Sequence, residues 1–349
     1  RHLDAHGTAA RENLRSETFV QPRDHTAASR ASMMQQSAML ALCIGAARAL
    51  VPPSHAAARR MTTRVSAADD AFAGYSAATT FLFPGQGAQS VGMATETCAE
   101  VPAAAKLFED ASEILGYDLL AKCAEGPKAE LDSTAVSQPA IFVASMAAVE
   151  KLRAENPAAV DAATCAMGLS LGEYSALCFA GAISFEDGVK LTKLRGEAMQ
   201  AASDAVDSGM VSVIGLGKDK VAELCGAASE KSGGKVEIAN YLCNGNYAVS
   251  GDAAACDAVA EIAKPDFKAR MTVKLAVAGA FHTEFMAPAV GALADALSTT
   301  DVKTPAIPVI SNVDAKPHSD PAVIKEILAK QVTSPVLWED AVASVLGAG

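Results

Sequence analysis

Apolar and polar residues follow two periods along this chain. Short apolar or alternating runs at Thr80–Phe83, Thr164–Met167, Met210–Leu216, Val236–Ala239, Tyr247–Ser250, Val273–Val277 and Ile307–Ser311 predict strands. Between them, helical spacing predicts helices over 103–116, from Ala140 to about Arg153, and over Glu173–Phe179, Asp219–Ser229 and Ala253–Ala263. Ser184-Phe185-Glu186-Asp187 is a capping box, and Val189, Leu191, Leu194, Ala198 and Met199 form the apolar face of the helix it opens. This alternation predicts an α/β fold with a mostly parallel sheet. The βαββα run at 210–263, with a polar turn at Asn240–Asn246, predicts a small unit inserted into the larger one.

The first 78 residues depart from this pattern. Nine of the twelve Arg lie at or before Arg64, whereas the first Lys is Lys106. Residues 1–78 carry nine basic and six acidic side chains; 79–349 carry 20 and 34, within a total net charge of −11. Ala31–Ala47 is uncharged, and its apolar heart, Ala38–Ala47, is too short to span a bilayer. It fits the apolar region of a signal peptide, and Ala56–Arg64, with three Arg and no acid, fits a transit peptide. Such a two-part leader predicts delivery to a plastid, the chloroplast stroma, with the mitochondrion as the alternative. A disordered tail or a misassigned start is the competing reading. The mature protein is expected to have no stable membrane insertion.

Half of the residues of this 349-residue chain are hydrophobic, enough for a sizeable core. The acidic body argues against a nucleic-acid partner. The eight Cys include no C-x-x-C pair, so reduced thiols are expected, and no metal site.

The main chemical signal is Gly168-Leu169-Ser170-Leu171-Gly172, between a predicted strand and a predicted helix, as a nucleophile elbow requires. Small glycines allow the sharp turn, and the helix N-terminus places N–H groups, Leu171 first, where an oxyanion would form. A glycine-rich helix entry with a capping Ser is the alternative. A serine nucleophile needs a base. The body offers two His. His318 lies in a polar, turn-rich loop and reads as solvated; His282 stands beyond a strand end, where sites gather in open α/β sheets. Arg195 lies on the inward side of its helix, between Leu191 and Met199. A buried guanidinium needs an anionic partner, either a substrate carboxylate or an Asp or Glu of the body. Phe83-Pro84-Gly85-Gln86-Gly87-Ala88-Gln89 is not a dinucleotide loop, because Ser90 stands where a third Gly is required. Gln86 is instead a polar side chain or N–H donor at a strand end.

FPGQGAQ at 83–89, GLSLGEYSAL at 168–177, LRGEAMQ at 194–200, GAFHTEFM at 279–286 and QVTSPVLWED at 331–340 occur in one order. Together they resemble the malonyl-CoA:acyl carrier protein transacylases of type II fatty acid synthesis, over about 79–349. The resemblance implies an α/β-hydrolase-like core at 79–203 and 271–349, with a ferredoxin-like subdomain inserted at 204–270. It implies ping-pong transfer from malonyl-CoA to holo-acyl carrier protein, with no cofactor bound by the enzyme and a monomer as the working state. Ser170 matches the nucleophile and His282 its base. Gln331 matches the residue whose backbone carbonyl orients that His, and Gln86 and Leu171 match the oxyanion donors. Arg195 matches the clamp for the malonyl carboxylate, and Met199, Asn240 and Phe281 match substrate-binding positions. Lys190, Lys193 and Lys274 are candidates for a basic patch facing the acidic carrier.

The sequence departs from the family twice. Leu169 stands where many relatives have His, and the sequence ends before the family's last strand and helix, an expected C-terminal truncation.

Overall fold

A computed structural model describes residues 69–349; the leader expectation for 1–68 lies outside the described residues. A parallel sheet is built from β1 (Thr80–Phe83), β2 (Cys165–Gly168) and β7 (Val309–Ile310), in the order β1-β2-β7. Thr80 pairs with Cys165 and Phe83 with Gly168, while Ala166 pairs with Val309. Every residue of β2 is buried, as expected of a central strand covered on both faces.

Helices α1 (Pro102–Leu115), α2 (Thr134–Glu155), α3 (Gly172–Phe179), α4 (Phe185–Asp204), α7 (Ala287–Thr299), α8 (Pro321–Gln331) and α9 (Trp338–Ala348) belong to this larger region. Phe108, Phe142, Tyr174, Leu191, Leu293 and Leu328 are among its buried core. The Ser184 side chain accepts from the Asp187 amide, so the capping box starts α4 as read. Helix α2 starts at Thr134, six residues before the expected start, and contains Pro139. Pro139 lacks an N–H for the Ala135 carbonyl, yet the helix continues because Thr134, Ser137 and Gln138 are themselves buried.

The second sheet is antiparallel: β3 (Ser208–Ile214), β4 (Val236–Cys243), β5 (Asn246–Asp252) and β6 (Met271–Lys274), ordered β4-β5-β3-β6. Helices α5 (Lys218–Ser232) and α6 (Ala253–Ile262) complete this smaller region, whose own core includes Val213, Leu224, Tyr247, Val249 and Val259. Two expectations are corrected here. The strand expected at 273–277 is Met271–Lys274, and it pairs with β3 through Val211–Lys274 and Ile214–Met271. The polar residues Asn240–Asn246 do not form one long turn; β4 runs to Cys243, leaving Asn244 and Gly245 as the bend, with Gly245 at φ +85°. Tyr241 and Tyr247 face each other edge to plane across that hairpin.

The packed body also starts before residue 79. The Ala77 amide donates to the Ala348 carbonyl, and Ala77 is buried with Cys165, Met167, Ile310, Ala341 and Val345. Outside the two sheets, Val336 bridges to β4: its amide donates to the Ala239 carbonyl and its carbonyl accepts from the Tyr241 amide. Among the described residues, no helix is long and apolar enough to cross a membrane.

Candidate active site

Strand β2 ends at Gly168 and α3 begins at Gly172, so Ser170 occupies the tight turn between them, at φ +53°. The turn leaves no room for side chains on its glycines. A Cβ on Gly168 would lie 1.9 Å from the Gly172 carbonyl carbon, and one on Gly172 would lie 2.3 Å from the Phe83 carbonyl oxygen. A non-glycine residue at positive φ is strained and persists only where its surroundings hold it. Here Asn312, just beyond β7, does the holding: its Oδ1 accepts the Ser170 amide at 2.6 Å and its Nδ2 donates to the Gly168 carbonyl at 2.7 Å.

Ser170 Oγ lies 2.7 Å from His282 Nε2. His282 is also at positive φ, +61°, and is 3 % exposed. Its Nδ1 is 3.0 Å from the Gln331 backbone carbonyl. A carbonyl only accepts, so Nδ1 carries the proton and Nε2 presents its lone pair to the serine hydroxyl. Burial, and then the Arg195 charge, push the imidazole down to about 4, so it is neutral and able to accept a proton at ordinary pH.

Arg195 is 1 % exposed. Its Nη1 donates to Gln138 Oε1 at 2.7 Å, and its Nη2 donates to Ser170 Oγ at 3.0 Å and to Gln331 Oε1 at 2.9 Å. The Tyr174 ring lies 5.5 Å from the guanidinium carbon, and Nε is buried without a partner. Among the described residues, no carboxylate pairs with Arg195 directly; the alternative of an ion pair within the body is not what the structure contains. Burial lowers its pKa from the ordinary value.

Gln331 is fully buried, and its side chain reaches Arg195, the Ser170 carbonyl at 3.0 Å and Glu173 at 2.6 Å. Met199, one turn along α4 from Arg195, accepts from Gln138 Nε2 at 3.4 Å and so turns Gln138 Oε1 toward the guanidinium. The turn carrying Gln86 lies against the elbow, because a Cβ on Gly85 would fall 2.5 Å from the Leu169 carbonyl oxygen. The Gln86 side chain donates to Thr134 Oγ1. Among the described residues, neither the Gln86 nor the Leu171 backbone N–H has an acceptor. Phe281 is buried beside His282. Asn240 sits on β4 at the Val336 junction, and its buried Oδ1 has no partner. Neither Phe281 nor Asn240 is hydrogen-bonded to Ser170, His282, Arg195 or Gln331.

His318 is not solvated as expected. Its ring is 12 % exposed and lies 3.0 Å from the Asp314 carboxylate, because the turn at 314–318 folds back on itself. A cavity of about 440 Å³ at the N-terminus of α5, bordered by Tyr241, Tyr247 and Glu339, contains no nucleophile–base pair. Hydrogen-bond geometry therefore marks the site, and cavity volume does not. No group of three or more His, Cys, Asp or Glu side chains among the described residues could hold a metal ion.

Sequence reading missed Gln138, Glu173 and Asn312. Each left a trace: an amide inside an apolar helix, an acid directly after the elbow, and an Asn at the carboxyl end of a core strand.

Similarity to known proteins identifies the family of this chain. Residues 80–349 match the acyl transferase domain family. A mitochondrial malonyl-CoA-acyl carrier protein transacylase from Mus musculus is 43% identical over 271 residues, 76% of this chain and 70% of that protein. The malonyl CoA-acyl carrier protein transacylase structure from Coxiella burnetii has a TM-score of 0.72 at 33% identity, over 77% of this chain and 83% of that one. A malonyl-transacylase solved in complex with a type II polyketide acyl-carrier protein has a TM-score of 0.72 at 32% identity, over 77% and 85% of the respective chains. With the nucleophile elbow, its histidine and a buried arginine in place, the chain belongs to the acyl transferase domain family, among the malonyl-CoA-acyl carrier protein transacylases.

Proposed function

We propose that this chain transfers a malonyl group from malonyl-CoA to the phosphopantetheine thiol of an acyl carrier protein. The observation that carries the reading is the Arg195 guanidinium, buried 3.0 Å from Ser170 Oγ with no carboxylate of its own. A buried cation without a direct anionic partner is a place for a substrate carboxylate, and Arg suits that partner better than Lys.

The Ser170 hydroxyl gives its proton to His282 Nε2 as Oγ attacks the thioester carbonyl. The Leu171 and Gln86 amides, free of protein acceptors, receive the oxyanion. Collapse breaks the carbon–sulfur bond, and His282 returns the proton to the leaving CoA thiol. The malonyl-Ser170 ester then meets the carrier thiol, which gives its proton to His282 and attacks. Release of the ester returns that proton to Ser170 Oγ. The Gln331 carbonyl keeps the imidazole in one tautomer throughout. Met199 supports the Arg195 clamp through Gln138, Phe281 borders the acyl site, and Asn240 borders its approach from the smaller region. No cofactor is needed, since both thiol arms arrive on the substrates.

The βαββαβ order with strands arranged β4-β5-β3-β6 supports reading the smaller region as ferredoxin-like, and the strand–elbow–helix unit supports a hydrolase-like core. The insertion is best bounded at about 204–274. Monomeric action, without nucleic acid or membrane insertion, completes the reading. The mouse relative's mitochondrial name supports the mitochondrial alternative; the plastid reading rests on the composition of residues 1–78.

The test is intact-protein mass after mixing with malonyl-CoA. One malonyl adduct that is absent in Ser170→Ala, and that moves to added holo-carrier protein, is the expected result. Release of free malonate without transfer would point to a hydrolase and overturn the proposal.

A further inference from the structure

Glu173 takes part in no step above, yet it is 3 % exposed and hydrogen-bonded at the centre of the site. Its Oε2 accepts from Gln331 Nε2 at 2.6 Å and from the Asn312 backbone N–H at 3.1 Å. Asn312 is the residue that clamps Ser170, and Gln331 is the residue that touches both Arg195 and His282. An amide side chain has two chemically different ends. With Nε2 directed at Glu173, the other end, Oε1, must face Arg195 Nη2. Turned over, Gln331 would set N–H against guanidinium N–H, donor against donor, and would leave Arg195 with one acceptor fewer.

We infer that Glu173 is a positioning residue for acyl-group selection: it fixes the Gln331 amide with its oxygen toward Arg195, and so aims the guanidinium at the space beside Ser170 Oγ. This inference rests on the transfer reading and adds to it the residue that sets the clamp. It also accounts for a second feature. The Glu173 carboxylate stands one amide away from Arg195, so the cation is held without a direct ion pair that would occupy the position of the substrate's carboxylate. The burial cost of an isolated cation is relieved through Gln331, while the guanidinium stays open toward Ser170.

The test compares rates of Ser170 loading from malonyl-CoA and from acetyl-CoA, followed by intact mass. Wild-type loading by malonyl is the control; its absence sinks the transfer reading, and the inference falls with it. Given loading, Glu173→Ala is expected to lower the malonyl-to-acetyl ratio by at least about tenfold, the size of losing a buried hydrogen bond to a charged group. Glu173→Gln is expected to restore a ratio close to wild type, because its Oε1 can take the place of Oε2 and still accept from both donors. Gln331→Met keeps the backbone carbonyl for His282 but removes the amide; it is expected to lose the ratio as Glu173→Ala does, whatever its absolute loading rates. A purely structural Glu173 would lower both loading rates together, in step with Tm, and leave the ratio unchanged. An unchanged ratio in Gln331→Met, or a Glu173→Gln variant as unselective as Glu173→Ala, would overturn the inference. If Glu173→Ala does not fold, Gln331→Met and Glu173→Gln decide the matter alone.

Discussion

Strand β3 pairs with β5 through seven consecutive residues, from Ser208–Asp252 to Ile214–Asn246, and the smaller region packs an apolar core of its own beneath them. Strand β2 pairs with β1 at four positions and with β7 at two. Beyond its end the chain turns at a strained serine, and the residues around it are buried polar groups: Arg195, His282, Asn312, Gln331 and Glu173. One region obeys the local rules of strand pairing and alternation. The other departs from them where positive φ, glycine crowding and buried charge meet, and the departures coincide with the groups that can do chemistry. Strain and buried polarity persist where the surroundings hold them, and here the Asn312–Glu173–Gln331 bonds are what hold them.

The largest expected contrast is in activity. Ser170→Ala or His282→Ala should lower malonyl transfer by about 10⁴-fold or more, as when one member of a nucleophile–base unit is lost. Steady-state transfer to holo-carrier protein measures it, and neither change should disturb the smaller region. Arg195→Ala comes next. Losing a buried charge partner is worth about 2–5 kcal/mol, so kcat/KM for malonyl-CoA should drop by about 30-fold to several thousand-fold. Acetyl transfer should survive or rise; a parallel loss of both would remove the clamp from the account.

Stability should divide the two regions as well. Gly172→Ala forces a methyl group to 2.3 Å from the Phe83 carbonyl oxygen, whereas a Cβ on Gly209 in β3 meets nothing within 4 Å. The first change should cost about 1–3 kcal/mol, as overpacking does; the second should move stability by less than about 1 kcal/mol. Urea unfolding of the two variants compares them directly.

The smallest effects are in pH. His282, held at about 4 against an ordinary 6.5, should keep the Ser170 acylation rate level down to pH 5, with half the rate lost only near pH 4. Its folded-state pKa is depressed, so its contribution to stability is present above 6.5 and lost as pH falls through about 4. Glu173 has the opposite sign. Burial pushes it up to about 7 from an ordinary 4.5, so its contribution is full below 4.5 and lost as pH rises through about 7. The Tm of Glu173→Gln should therefore gain on wild type between pH 4.5 and 7, and an unchanging difference would contradict that sign.

What the sequence revealed divides along the same line. The elbow, His282 and Arg195 were legible because each is a rare residue in this chain: a Ser between two glycines, one of two His in the body, and one Arg on an apolar helix face. The alternation of β3 and β5 was legible from period alone. The bounds of β6 were not legible, because Met271–Lys274 is defined by pairing with β3, far earlier in the chain, and pairing partners leave no local mark. The start of α2 was hidden by Pro139, where tertiary burial outweighs a local helix breaker. Asn312 and Glu173 were missed because their importance lies in bonds to residues 139 to 144 positions distant. The exposure expected for His318 failed for a different reason: its partner, Asp314, is four residues away and is reached through a turn that periodicity does not describe.

The proposed reaction sets a serine nucleophile beside a guanidinium reserved for a substrate carboxylate. The most direct test is competition. The wild-type protein is mixed with equal concentrations of malonyl-CoA and acetyl-CoA, quenched in acid, and the acyl group on the peptide containing Ser170 is identified by mass. Malonyl is expected on Ser170 in large excess, with the excess lost in Arg195→Ala. Equal malonyl and acetyl occupancy in the wild type, or an adduct on another residue, would contradict it.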